Sequence, residues 1–124
     1  HVSFICDASF PTYLLAHWGR DRAEGRFPLE YLVRRLTSDC SRFMGLNDRG
    51  EIKPGWRADI NLIDYDQLRA TMPYVCNDLP QGGKRVLQKA NGYRRTLVKG
   101  VTTYLEGEPT GAMPGRLVRG TTTL

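Results

Sequence analysis

The stretch LTSDCSRFMGLNDRGEIKPGWRADINLIDYD, from Leu36 to Asp66, decides the fold because the sequence pattern changes within it from helical to strand-like. Gly45 offers the left-handed conformation that commonly ends a helix. After several turn-forming residues, the segment from Ala58 to Asp64 alternates apolar and polar positions, which predicts a strand. A stripe of apolar residues at helical spacing begins before this stretch and continues into it: Leu29, Leu32, Val33, Leu36, Cys40, Phe43 and Met44.

The sequence on either side of this stretch predicts a short helix and a hairpin. Ser9, a helix-capping residue type, precedes a helical pattern from Pro11 to about Trp18. The stripe predicts a second helix over residues 28–44. Residues 94–105 are rich in Thr, Val, Leu and Tyr and are divided by Lys99-Gly100, which predicts a tight hairpin turn. The fold class is therefore predicted as α+β, with two helices followed by strands.

Length and composition indicate a soluble globular segment. The chain has 124 residues, the size of one domain or of a piece of a larger one. Its apolar runs are far shorter than the roughly 18 residues of a membrane span, so no membrane partner is predicted. The three widely spaced cysteines, Cys6, Cys40 and Cys76, suit neither a disulfide framework nor a metal knuckle and favour a reducing, cytoplasmic location. Because His1 stands where a native chain should carry Met or a leader, we expect a fragment of a longer protein.

Positive charge is concentrated late in the chain. Residues 81–124 carry eight basic and two acidic side chains. Between Lys84 and Lys99 there are six basic residues and no acidic one, a pattern that attracts phosphate or acidic surfaces. Tyr93 is the one aromatic residue within that run, so nucleic-acid binding is not favoured over a solvated strand face. A stand-alone basic binding module nevertheless stays the alternative from a different functional class.

The residues that could perform chemistry are few. His1 and His17 are the two histidines, whereas a zinc hydrolase needs three or four converging ligands. A cluster of Cys6, Asp7 and His17 is conceivable, but an inert thiol and a histidine on a helix face are the simpler interpretation. We therefore predict no metal ligand and no catalytic residue in this chain.

Two further motifs are better explained as turns. The glycine-rich sequence Gly82-Gly83-Lys84 is not a phosphate-binding loop, because that motif needs Gly at position 78 and Ser or Thr at position 85. Asp64 and Asp66 follow a predicted strand, where such residues commonly cap turns rather than act as an acid and base pair.

Three segments together resemble the amidohydrolase superfamily. The junction from Leu36 to Asp66 is similar to a T-x-x-x-A-x-x-x-G-L helix end followed by G-x-I-x-x-G-x-x-A-D and a strand, with Ser41 in place of the more usual Ala. The segments Ile5 to Arg22 and Asn77 to Gly120 resemble more specifically the C-terminal end of the N-acyl-D-amino-acid deacylase, or D-aminoacylase, group. A hydantoinase-like or dihydroorotase-like C-terminus is the runner-up, because such enzymes share the junction.

The resemblance implies a metal-dependent parent hydrolase with a (β/α)₈ barrel and a small β-sandwich domain assembled from both chain ends. In such enzymes zinc activates the water that attacks the amide of an N-acyl-D-amino acid. Residues 1–46 would belong to the end of the barrel and residues 47–124 to the sandwich. The family's metal ligands would all lie before residue 1, and His1 resembles a histidine near the active-site mouth.

The resemblance also implies how the chain behaves by itself. Its partner would be the remainder of the parent protein, which would cover the apolar stripe. Separated from it, the chain is expected to be metal-free, inactive and inclined to associate with itself through the exposed stripe or a sandwich edge.

Overall fold

A computed structural model describes residues 7–118 and shows helices followed by antiparallel strands. The helices are α1 (Phe10–Tyr13), which continues as a π-helical segment (Leu14–Asp21), α2 (Leu29–Leu36) and α3 (Ser38–Phe43). The strands are β1 (Ile60–Ile63), β2 (Arg69–Ala70), β3 (Tyr74–Leu79), β4 (Gly83–Leu87), β5 (Ala90–Asn91), β6 (Tyr93–Val98), β7 (Val101–Leu105) and β8 (Glu108–Pro109). The α+β class, and the change from helix to strand after Gly45, are confirmed.

The predicted second helix is present, but it is broken at Thr37. That residue has φ −123° and ψ −88°, and its hydroxyl donates to the carbonyl oxygen of Val33 at 2.7 Å. In α3 the buried side chains are Ser38 and Ser41, whereas Phe43 is 90% exposed. The prediction of one continuous helix over residues 28–44 was therefore wrong at Thr37.

The strands form one four-stranded antiparallel sheet and two strand pairs. The large sheet has the order β1-β6-β7-β8, and β2 pairs with β5 while β3 pairs with β4. The predicted hairpin joins β6 and β7, and both turn residues, Lys99 and Gly100, have positive φ angles of 52° and 76°. Asp59 supports this turn by accepting the Lys99 backbone N–H at 2.9 Å. The Ala-Asp step of the junction thus fixes the hairpin that follows forty residues later.

Helices and strands share one small core. Its buried residues are Leu15, Ala16 and Leu32 from the helical part and Leu68 from the β part. Leu68 is completely inaccessible to solvent. Partly buried side chains surround these four: Leu14, Trp18, Leu29, Leu36, Ile63, Tyr65 and Tyr93.

The junction after α3 depends on close contact between Ser41 and Gly50. The Ser41 hydroxyl lies 3.1 Å from the carbonyl oxygen of Leu46 and 3.0 Å from that of Arg49. Gly50 has φ +88°, and a Cβ atom there would lie 2.7 Å from the Ser41 Cβ. A small residue is therefore required on both sides, which explains why Ser can replace the more usual Ala at position 41.

None of the helices within residues 7–118 is long and apolar enough to cross a membrane.

Candidate functional site

The first helical turn is joined to the β part by side-chain hydrogen bonds. Ser9 occupies the N-cap position, yet its hydroxyl makes no capping bond and instead donates to the Gln88 side-chain oxygen. Gln88 in turn donates from its amide nitrogen to the Thr71 carbonyl at 2.7 Å. One helical turn later, the buried Thr12 hydroxyl lies 2.9 Å from the Tyr93 hydroxyl. The helix start is thus positioned by the β part.

Arg20 joins the other end of this helix to the β part by hydrogen bonds. Its guanidinium donates to the carbonyl oxygens of Tyr65 and of Leu68, the latter at 2.8 Å, and to the Asp21 carboxylate at 2.6 Å. These bonds explain why the pKa of Asp21 is lowered, chiefly by hydrogen bonding to Arg20. The Tyr65 hydroxyl returns a bond to the Leu15 carbonyl at 3.2 Å. The turn containing Leu68 is consequently held against the helix that covers it.

Of the candidate cluster Cys6, Asp7 and His17, the structure describes the side chain of His17 alone. His1 and Cys6 lie outside the described residues, and the structure does not describe the Asp7 side chain. The imidazole of His17 stacks on Tyr13 with a ring separation of 4.8 Å and contacts the edge of Trp18 at 5.8 Å. His17 therefore lies on an aromatic face of the first helix.

Asp64 acts as a turn cap and ion-pair partner. One carboxylate oxygen accepts the Gln67 backbone N–H at 3.2 Å, and the other accepts from Arg94 at 2.8 Å. The Arg94 hydrogen bond is the largest cause that lowers the pKa of Asp64, followed by the Gln67 backbone bond. Asp66 is exposed. Asp64 thus caps the turn that follows β1, as its place after a strand predicts.

The glycine-rich motif is a turn into a strand. Residues Pro80–Gly82 form a short 3₁₀ turn, and Gly82 has φ +72°. Gly83 begins β4, so Lys84 lies on a strand rather than at a helix N-terminus, where a phosphate-binding loop would place it.

The basic run on β4 to β6 is partly neutralised. Arg85 donates to Asp78 at 2.6 Å, which lowers the pKa of that carboxyl, and Arg94 bridges Asp64 and Glu106. Lys89 lies 3.3 Å from a carboxylate oxygen of Glu108. This stretch is therefore a mixed-charge strand face rather than a continuous positive surface.

A surface cleft of about 440 Å³ lies beside the same strands. Its walls contain hydroxyl groups, aromatic rings and the Lys89 and Glu108 ion pair, and the lining includes Thr71, Tyr74, Lys89, Tyr93, Tyr104 and Glu108. Within residues 7–118 no group of three or more His, Cys, Asp or Glu side chains could hold a metal ion. The described residues therefore do not fit a metal centre.

The sequence of this chain is similar to that of a known enzyme family. Residues 1–104 match the sequence model of the amidohydrolase family. The chain belongs to the amidohydrolase family. A D-aminoacylase from Alcaligenes xylosoxydans xylosoxydans is 28% identical over 110 residues, which make up 89% of this chain and 20% of that protein. The predicted resemblance to amidohydrolases, and to D-aminoacylase among them, is confirmed.

Solved structures give the same result for this amidohydrolase segment. A crystal structure of D-aminoacylase, described as defining a novel subset of amidohydrolases, matches with a TM-score of 0.60 and 27% identity. The match covers 82% of this chain and 19% of that chain. A second D-aminoacylase structure, from a study of its binuclear metal center, gives the same values. The segment thus spans about one fifth of the length of these relatives.

The contacts made by Gln88, Tyr93 and Arg20 were not foreseen from the sequence. Each residue joins the helical part to a position more than forty residues away, and no local pattern marks such a pair. The one available signal was Ser9, whose residue type indicates a capping bond that the structure does not form.

Proposed function

We propose that this chain is the C-terminal structural portion of a metal-dependent amidohydrolase that hydrolyses N-acyl-D-amino acids. The products of that reaction are a carboxylate and a free D-amino acid, formed by cleavage of a non-peptide C–N bond. The observation that carries the proposal is the likeness to a D-aminoacylase over 89% of the chain, together with the amidohydrolase match of residues 1–104.

The metal belongs to the part of the protein that precedes this segment. We infer zinc as the resident metal of the parent protein, bound by ligands before residue 1, since this segment spans about one fifth of the length of its D-aminoacylase relatives. The binuclear metal center named for a related D-aminoacylase structure supports metal dependence. No step of the metal chemistry is assigned to residues of this chain.

Support of the catalytic barrel is the role that we assign to the segment. Residues 1–46 would complete the end of a (β/α)₈ barrel, and residues 47–124 would form part of a small β-sandwich. Large exposed apolar side chains on α2, on α3 and directly after α3 agree with a covering surface supplied by the rest of the protein: Val33 at 42%, Phe43 at 90% and Met44 at 65% exposed. His1 would then lie near the mouth of the active site.

The location that we propose for the parent is the cytoplasm. Cys40 and Cys76, the cysteines within the described residues, are both unpaired, which agrees with a reducing compartment.

The experiment compares two proteins for hydrolysis of N-acetyl-D-amino acids in the presence of zinc. The complete gene product is expected to release free D-amino acids and to lose that activity after chelation. Residues 1–124 alone are expected to show no activity, to retain no metal after dialysis and to elute as self-associated species.

Two results would contradict the proposal. Zinc-dependent deacylation by residues 1–124 alone would show that the catalytic ligands lie in this segment. A complete protein that hydrolyses hydantoins or dihydroorotate, but not N-acyl-D-amino acids, would assign it to the other amidohydrolase groups.

A further inference from the structure

The Asn91-Gly92 step lies at the end of β5, beside the surface cleft. Asn91 is exposed and forms part of the cleft lining, so solvent reaches its side-chain amide. β5 consists of Ala90 and Asn91, which pair with the two residues of β2. A ladder this short opens locally more readily than the longer pairing between β3 and β4. The fold therefore leaves this asparagine accessible and weakly restrained.

The packing of the chain requires glycine after Asn91. Gly92 has φ +93°, and a Cβ atom there would lie 2.7–2.9 Å from backbone atoms of Leu68 and Asp64. Its carbonyl oxygen also accepts the Asp64 N–H at 2.8 Å. Because glycine has no side chain, nothing attached to its Cα hinders the approach of its nitrogen to the preceding side-chain amide. The residue that permits the close packing thus also makes the Asn91 amide open to attack.

We propose that Asn91 is a site of spontaneous deamidation in this protein. The Gly92 nitrogen attacks the side-chain carbonyl carbon of Asn91, and ammonia leaves with the proton of the Gly92 N–H, which closes a succinimide ring. Water then adds to a carbonyl carbon of the ring and breaks the bond between that carbon and the nitrogen. Addition at the side-chain carbonyl gives aspartate, and addition at the backbone carbonyl gives isoaspartate. The net reaction consumes water, releases ammonia and involves no oxidation or reduction.

Aspartate and isoaspartate at this position would affect the surrounding strands in opposite ways. Aspartate keeps the backbone and adds a negative charge opposite Arg69, the exposed cross-strand partner of Asn91. Opposite charges at directly facing positions stabilise antiparallel strands. Isoaspartate carries the backbone through its side chain and lengthens it by one carbon atom, so Gly92 loses its hydrogen bond to Asp64. The isoaspartyl form therefore loosens the turn that holds Leu68 in the core.

Peptide mapping of the complete gene product tests the proposal. The purified protein is incubated at mildly alkaline pH, where removal of the Gly92 amide proton is favoured. Trypsin then releases residues 90–94 by cleavage after Lys89 and Arg94. This peptide should gain about 1 Da and separate into an aspartyl and an isoaspartyl form.

Controls within the same protein show whether the reaction is specific to this step. Asn61 and Asn77 are followed by Leu and Asp rather than by Gly, so Asn91 should convert several times faster than either. Asn91→Gln keeps a side-chain amide, but its attack needs a larger ring, and the mass gain should be lost. Conversion at Asn91 that is no faster than at the two control asparagines overturns the proposal, as does a mass gain that persists in Asn91→Gln.

Unfolding measurements test the consequence of each product. Asn91→Asp represents the aspartyl product and should shift the unfolding equilibrium toward the folded state by about 1.4- to 5-fold. Aged protein enriched in the isoaspartyl form should shift it the other way by about 2- to 13-fold, the effect of losing one neutral hydrogen bond. Isoaspartyl protein as stable as the unmodified protein overturns the role given to Gly92. These measurements use no substrate, so they are independent of the proposed enzymatic function.

Discussion

Replacing Gly92 by Ala should be among the most destabilising single changes in this chain. Gly92 lies between β5 and β6 with φ +93°, a conformation that L-residues rarely adopt. A Cβ atom there would lie 2.7 Å from the Leu68 Cα, 2.8 Å from the Leu68 nitrogen and 2.9 Å from the Asp64 carbonyl oxygen. All three are backbone atoms, so no side-chain rotation can relieve the contact.

The cost of this substitution has two parts. A non-glycine residue in left-handed backbone conformation costs about 1–2 kcal/mol. Inserting a methyl group against fixed neighbours costs roughly 1–3 kcal/mol more. The free energy of unfolding should therefore fall by about 2–5 kcal/mol, a large share of the stability of an ordinary domain.

Gly107→Ala is the matched control for this prediction. Gly107 has φ +84°, but no atom outside residues 106–108 lies within 4 Å of the position that its Cβ would occupy. It should show only the backbone cost of about 1–2 kcal/mol. Thermal unfolding of the complete gene product carrying each substitution provides the comparison. Equal shifts in the two variants would refute the argument that Gly92 is needed for the close approach to Leu68 and Asp64.

Three further substitutions test the core, an ion pair and the junction. Leu68→Ala should cost about 2–5 kcal/mol, whereas Leu62→Ala, at a side chain that is 48% exposed, should cost much less in the same unfolding assay. Arg94→Ala should raise the pKa of Asp64 toward its ordinary value, as followed by carboxyl NMR. Since the pKa of Asp64 is lower in the folded state, its stabilising effect is present above the unfolded-state pKa and disappears as pH falls through the folded-state value, so the variant should lose less stability in acid. Ser41→Ala should cost about 1 kcal/mol, measured by denaturant unfolding, and a zero cost would contradict the role of its hydroxyl.

Local patterns predicted the elements of this fold well. The change from helix to strand, the hairpin at Lys99-Gly100 and the turn at Gly45 each depend on neighbouring residues, and the structure shows all three. The break at Thr37 could not be predicted from the sequence, because the helical spacing of apolar residues continues unchanged across it. There the Thr37 hydroxyl bonds to the preceding turn and the buried residues become Ser38 and Ser41.

The candidate site was harder to predict because its contacts are distant in sequence. Asp64 could be assigned to a turn from its place after a strand, and the structure agrees. The pairing of Ser9 with Gln88 joins residues 79 positions apart, and their residue types carry no sign of it. Sequence patterns describe periodic faces, whereas long-range polar pairs depend on which loops the fold brings together.

The shared core has a consequence for protein engineering. Leu15, Ala16 and Leu32 pack with Leu68 across the junction. Neither the helical part nor the β part therefore has a complete hydrophobic core by itself. A chimera that joined the helical part of one amidohydrolase to the β part of another at residue 46 would have to match these four side chains in volume. Core substitutions in the helical part therefore need compensating substitutions in the β part. Segment exchanges between amidohydrolases should succeed when the crossover lies before α1 rather than at the glycine-rich junction.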